Sequence, residues 1–247
     1  MSDIRHKALA LYILPVKRFA RQMRWLKSRG YQPISLDTLY DYLARGGPIP
    51  AKPVVITFDD GYRELKDTAT PLLADMGFCH THFLNPGKLG GATDWIAAAP
   101  DLPILGGEEV RALLAAYGKW VDFQAHGKTH LSLKHQDPET IRAEIGDSIA
   151  DIESLLQRPV TYFAYPYGDH DETAVRTAAG MALRCAFTVE QGLCRPGQNL
   201  FRLPRVEILG NDFFLDFICK VRFGWSPIAR LRTILKRIYK KIMRRFA

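Results

Sequence analysis

Apolar positions along the chain alternate between two periods, one near 3.6 residues and one of two or fewer, and the alternation repeats from one end to the other. Residues 16–30 (VKRFARQMRWLKSRG) place Phe19, Met23 and Leu26 at helical spacing, and Gly30 suits a C-terminal stop. Tyr31 to Ser35 is a short strand candidate. Asp37 is placed to cap a helix through about Arg45, which Gly46, Gly47 and Pro48 close. Val54 to Phe58 is a continuous apolar run of the kind found in buried parallel strands. A helix to about Met76 follows, and Pro71 should kink or divide it. Further strands are expected over 79–84, 121–125, 160–164 and 183–189, with helices over 108–117, 138–156 and 171–179 between them. Pro138 is well placed to open the longest of these helices. The late strand FRLPRVEIL (201–209) holds Pro204, which puts it at an edge or a bulge. Residues 85–107, rich in Gly and Pro, read as a long loop. Strands and helices in this order predict an α/β fold with a parallel sheet, open or closed.

The chain's 247 residues suit one large domain. Its formal charge of +8 changes the picture, because it is not spread evenly. Eight of the 34 Lys and Arg lie in 230–247, which has no Asp or Glu, leaving 26 bases against 26 acids in the rest. The division expected is a domain over 1–221 and a basic tail over 222–247. Four cysteines without a CxxC pair favour a reducing compartment. The apolar stretch from Ala8 to Leu14 is short and lacks a small-residue cleavage site, so no export signal is expected. No apolar run approaches the roughly 18 residues that a spanning helix needs.

Polar groups collect at three strand ends. Asp59 and Asp60 follow Val54–Phe58, and Gly61 lets the chain turn sharply after them. Two adjacent carboxylates repel unless a cation or proton lies between them. His126 and His130 close the string HGKTH after the 121–125 strand, and Tyr165, Pro166, Tyr167 and Gly168 follow the next one. Two imidazoles and one carboxylate form a three-ligand site for a divalent metal with room for water, on a helical turn or in a loop. Such an ion activates water, and the remaining carboxylate can take its proton. Each motif alone has a plain alternative: HxxxH arises by chance, and paired aspartates often cap or turn a chain. The helical zinc-protease pattern HExxH is absent, since Gly127 stands where its Glu would be.

Taken together and in order, TFDDG (57–61), HGKTH (126–130), FAYPYG (163–168) and FRLPRVEI (201–208) resemble the NodB-homology polysaccharide deacetylases, the carbohydrate esterase 4 family. The leader pattern of residues 18–39 and the late strand are similar to the subgroup of biofilm poly-N-acetylglucosamine deacetylases. The resemblance implies a distorted (β/α) barrel with fewer than eight repeats. It also implies metal-dependent removal of N-acetyl groups from amino sugars of a bacterial surface polysaccharide or lipid-linked glycan. By position, Asp60, His126 and His130 become the metal ligands and Asp59 the general base, with Pro166 and Tyr167 shaping the acetyl pocket. Zinc suits the ligand set, as do cobalt, nickel and iron. Two departures stand out. Position 164 is Ala where the family often has an Arg that orients the base, so Arg205, or else Arg202, is expected to supply that charge; the alternative is a structural ion pair. No His follows His170, so the late His general acid is missing and His170 is the candidate replacement, or else a surface loop residue. An O-acetyl esterase with the same site, or a catalytically impaired barrel that binds glycan, are the competing readings.

His80 and His82 fall on one side of a strand and read as packing residues. Trp95 can be a sugar-stacking platform or an anchor of its loop. In the tail, Leu231, Ile234, Leu235, Ile238, Ile242 and Phe246 fall on one helical face amid Lys and Arg. That is the pattern of an amphipathic helix lying in an anionic membrane surface; a solvated basic helix packed on the barrel is the alternative. Nucleic acid is not expected, for want of any motif that reads it. The expected location is cytoplasmic, peripheral on the inner membrane.

Overall fold

A computed structural model describes residues 11–96 and 102–231. The amphipathic tail expected over 230–247 therefore lies outside the described residues beyond Leu231. Among the described residues eight strands are present: β1 (Gln32–Pro33), β2 (Pro53–Val54), β3 (Thr57–Phe58), β4 (His80–Leu84), β5 (Val121–Ala125), β6 (Tyr162–Ala164), β7 (Cys185–Gln191) and β8 (Leu203–Arg205). The helices are α1 (Val16–Ser28), α2 (Leu36–Arg45), α3 (Glu64–Asp67), α4 (Ala69–Asp75), α5 (Gly107–Tyr117), α6 (Pro138–Leu156), α7 (Glu172–Ala179) and α8 (Phe214–Phe223). Strands β3 to β8 form one parallel sheet in sequence order, curled into an open half-barrel. Parallel neighbours need a crossover, and helices supply most of them, so every strand points its carboxyl end to the same rim. This is the distorted barrel expected from the motifs.

The sheet's two faces bury different partners. Phe123, Phe163 and Ala186 pack outward against Val110 of α5, Ile141 and Ile145 of α6 and Val175 of α7. Their strand neighbours Phe83, Tyr162, Ala164 and Phe187 turn inward and meet Leu36, Leu39 and Leu43 of α2. Thus α2 plugs the barrel interior, which is a packed core rather than a pore. A third cluster joins Met23 and Leu26 of α1, Leu73 of α4 and Phe217 of α8.

Two local expectations need correction, and two others hold. The Val54–Phe58 run is not one strand. Pro53–Val54 pairs with β1, while Thr57–Phe58 pairs with β4, because the segment serves a different neighbour at each end. The cap of α2 is Ser35, whose hydroxyl accepts from Thr38 N, and not Asp37. Asp37 instead accepts from the Tyr162 hydroxyl at 2.6 Å and pairs with Arg184. Pro71 does divide its helix. It lies in the first turn of α4, where its missing N–H costs least, and the break falls at Thr68 just upstream. The late strand lies at the sheet edge with an irregular register against β7, as Pro204 requires.

Candidate active site

The polar strand ends meet on the rim. After β3 the backbone enters the left-handed region at Asp60 and Gly61, both with φ of 70°. A Cβ on Gly61 would sit 2.7 Å from Leu84 Cδ2, so only glycine fits the turn. The turn sends the two carboxylates to different partners. Asp59 is held by the Arg205 fork, Nη1 to Oδ1 and Nη2 to Oδ2 at 2.7 Å each. Asp60 Oδ1 lies 3.4 Å from His126 Nε2 and 3.2 Å from His130 Nε2.

Each imidazole is oriented by what it touches on its other side. His126, buried at the end of β5, donates from Nδ1 to the Ala164 carbonyl at 2.7 Å, which leaves Nε2 facing Asp60. His130 has a left-handed backbone (φ 66°), and its ring lies between Trp95 and Tyr167, with centroids at 4.4 and 4.3 Å. The four-residue spacing is spanned by a loop, not by a helical turn. Glu144 of α6 holds that loop: its carboxylate accepts from Thr129 N at 3.0 Å and from the Thr129 hydroxyl at 2.7 Å. Asn85, at the end of β4, donates to the carbonyls of His126 and Gly127. Asp60, His130 and Tyr167 are three of the five non-glycine residues with positive φ among those described. Backbone strain is thus concentrated at this site.

The electrostatics match a cation. Burial alone would raise the pKa of Asp59, but Arg205, helped by His126, outweighs it and keeps the carboxyl below its ordinary value. Burial opposes ionisation of Asp60 too, and the two histidines overcome it, holding it far below the carboxylate range. His126 is pushed the other way: burial lowers its pKa, and the charges of Asp59 and Asp60 raise it above the usual value. Tyr62 keeps its proton, raised first by burial and then by the neighbouring Asp60. Asp60 Oδ1 is buried without a hydrogen-bond partner of proper geometry among the described residues, although two Nε2 atoms converge on it. One ligand atom each from Asp60, His126 and His130 lie within 4.8 Å of one another, so this donor set fits a divalent ion.

Of the other candidates, Pro166 is buried in a 3-10 turn after β6, and Tyr167 projects from it, 46% exposed, with φ of 59°. Arg205, rather than Arg202, engages Asp59. Arg202 Nε donates to His170 Nε2 at 3.0 Å, and His170 Nδ1 donates to the Gly168 carbonyl at 2.7 Å. Both nitrogens of His170 are therefore engaged, and as placed it offers no free N–H to a leaving group. His80 and His82 face Thr70 of α4, in the packing role expected of them. Trp95 anchors on His130 itself. Asn85, Glu144 and Tyr62 were not expected. The position of Asn85 at a strand's carboxyl end was a usable signal; Glu144, in mid-helix, gave none.

The sequence profile described as Polysaccharide deacetylase matches residues 46–186, more than half of the chain and all three principal motifs. The chain belongs to the polysaccharide deacetylase family. Among curated members, the polysaccharide-deacetylase-type protein YxkH of Bacillus subtilis is 27% identical over 79% of this chain. The poly-beta-1,6-N-acetyl-D-glucosamine N-deacetylase of Escherichia coli is 23% identical, again over 79% of the chain. The match spans 65% of the first relative's length and 34% of the second's. Solved members share the fold. IcaB from Ammonifex degensii superposes with a TM-score of 0.75 at 21% identity, covering 86% of this chain and 90% of that one. The Streptococcus pyogenes deacetylase PplD, solved with acetate, gives 0.71 at 24% identity, covering 81% and 83%.

Proposed function

We propose that this family member is a divalent-metal N-deacetylase of amino sugars in a bacterial surface polysaccharide or lipid-linked glycan. The observation that carries the reading is the division of labour between adjacent carboxylates: Asp60 turned to two imidazoles, Asp59 to a guanidinium. An ion held by Asp60, His126 and His130 supplies Lewis acidity toward water and the acetyl carbonyl. Two nitrogens and one oxygen suit zinc, with cobalt, nickel or iron also compatible. Asp59, kept ionised by Arg205, takes the proton of the attacking water. With both nitrogens of His170 engaged, Asp59 is also the group in place to return that proton to the departing amine. Pro166 and Tyr167 wall the acetyl group, and the exposed Tyr167 ring offers an apolar face to the sugar. The basic tail holds the protein to the anionic cytoplasmic face of the inner membrane, supported by its eight Lys and Arg without an acid.

The test is acetate release from paired N- and O-acetylated oligosaccharides by metal-loaded protein. The expected result is release from the N-acetylated set, its loss on chelation, and a fall of at least a thousandfold in Asp59→Asn with metal content unchanged. Release from the O-acetylated set alone makes the protein an esterase. Glycan binding with no acetate release from either set makes it a binding barrel.

A further inference from the structure

Helix α8 buries charge beside its apolar stripe and leaves further apolar residues outside. A surface helix ordinarily buries its apolar stripe and exposes its charges. Here the inward side carries Asp216 and Lys220, 0% and 1% exposed, beside Phe217. The outward side carries Leu215 and Phe223, 54% and 60% exposed, with the half-buried Cys219 between them, while Phe214, Ile218 and Val221 pack on the core with Phe217. The charged side is pinned from within. Asp216 accepts from Phe213 N at 2.8 Å and from the Ser226 hydroxyl at 2.6 Å. Lys220 donates to the Glu207 carbonyl at 2.9 Å and pairs with Asp212. Rotating the helix to hide Leu215 and Phe223 would break all of these contacts, so the apolar face stays outward. Beyond the helix, Trp225 and Leu231 are exposed as well, 44% and 58%.

The exposed charges that α8 and the neighbouring α1 themselves carry have one sign. Asp216 is the sole acid of α8 and it is buried, whereas Arg222 and Arg230 are exposed. Helix α1 lies alongside, joined through Trp25 to Phe214 and Phe217 with ring centroids at 6.4 and 5.7 Å. It contains no acid and exposes Lys17, Arg21, Arg24 and Lys27. The chain then runs directly into the acid-free basic tail.

From this arrangement we infer that the outer face of α8, with Trp225, docks the folded domain onto an anionic bilayer, its apolar centre entering the headgroup layer and its basic rim meeting lipid phosphates. A second copy of the chain is a poorer occupant, since pairing two such faces brings like charges together. The inference deepens the membrane part of the reading above and is independent of its chemistry: the folded domain, and not the tail alone, carries the contact.

The test is co-sedimentation of the full chain with vesicles of phosphatidylcholine alone and of phosphatidylcholine with 30% phosphatidylglycerol. A Leu215→Ser/Phe223→Ser variant and a tail variant (Lys236→Glu, Lys240→Glu, Arg244→Glu) are run beside it. Circular dichroism and acetate release from a soluble oligosaccharide check folding. The expected result is binding to the anionic vesicles, a fall of at least tenfold in the Leu215/Phe223 variant, and a blue shift of Trp225 emission on binding, read against Trp225→Phe. If the Leu215/Phe223 variant binds as the unaltered chain does while the tail variant does not, the α8 face is overturned and the tail reading stands. If the unaltered chain ignores both vesicles, both fall. If the chain is a dimer without vesicles, and the Leu215/Phe223 variant a monomer that still binds lipid, the face is a self-interface and the inference is overturned.

Discussion

Asp59 and Asp60 are adjacent in the chain yet face opposite partners, and the left-handed backbone of Asp60 turns them apart. With φ of 70° at Asp60, the second carboxylate swings to the histidines while the first stays under Arg205. Residues that touch the ligands matter almost as much as the ligands themselves. Asp60→Ala removes one of three donors and should abolish tight metal binding. Trp95→Ala keeps all three but frees the His130 ring on one side, and should weaken metal affinity by about tenfold. Titration of the apo protein with zinc against a competing chelator separates the two. Equal affinity in Trp95→Ala and the unaltered protein would reduce Trp95 to a loop anchor. The convergence of His126 and His130 with Asp60 was readable from spacing and strand position. Trp95 over His130 was not, because 35 residues and a loop separate them in the sequence, and only the fold brings them together.

At the scale of elements, β4 and α4 meet through a buried histidine pair. His80 Nδ1 donates to the Phe78 carbonyl, so its Nε2 accepts from the Thr70 hydroxyl. The same hydroxyl oxygen then accepts from His82 Nε2–H, leaving His82 Nδ1 bare and buried without a partner. The network works only with both rings neutral. Burial lowers the pKa of His80 from 6.5 to about 4 and that of His82 well below its ordinary value. Between those values the unfolded chain binds protons that the folded one refuses. Stability is therefore full above about pH 6.5 and falls as the pH drops towards 4, by about 3 kcal/mol from His80 alone. Urea unfolding at pH 7.5, 5.5 and 4.5 should show this loss, and His80→Leu should flatten it. An unchanged slope in that variant would assign the acid sensitivity elsewhere. Periodicity located most elements here: β5 and α6 fall where the apolar pattern put them. It missed the break between β2 and β3, since Val54 to Phe58 is uniformly apolar while its backbone partners change. It also gave no helix over 214–223: Phe214, Phe217, Ile218 and Val221 do recur at helical spacing, but the buried Asp216 and Lys220 and the exposed Leu215 and Phe223 blur the stripe.

For the molecule as a whole, the half-barrel leaves its first and last strands without a ladder between them among the described residues. The Arg205–Asp59 fork crosses that seam, with Arg205 Nη1 also 3.4 Å from Thr57 Oγ1 of β3. One ion pair thus fixes the Asp59 carboxylate and ties β8 to β3. The sequence showed the need for it, through Ala164, where the family often has the orienting Arg; that Arg205 would also join the sheet's two ends depended on curvature that no local pattern encodes. Losing one partner of such a pair costs more than losing both, because the survivor stays desolvated and uncompensated. Arg205→Met should therefore lower stability by about 2 to 3 kcal/mol and reduce turnover together. Asp59→Asn/Arg205→Met should recover most of the stability and none of the turnover. Urea denaturation at pH 7.5 alongside acetate release reads both quantities. If the double variant is no more stable than Arg205→Met, the seam is held by apolar packing such as that of Ile56, Ile208 and Phe217, and Arg205 serves the base alone.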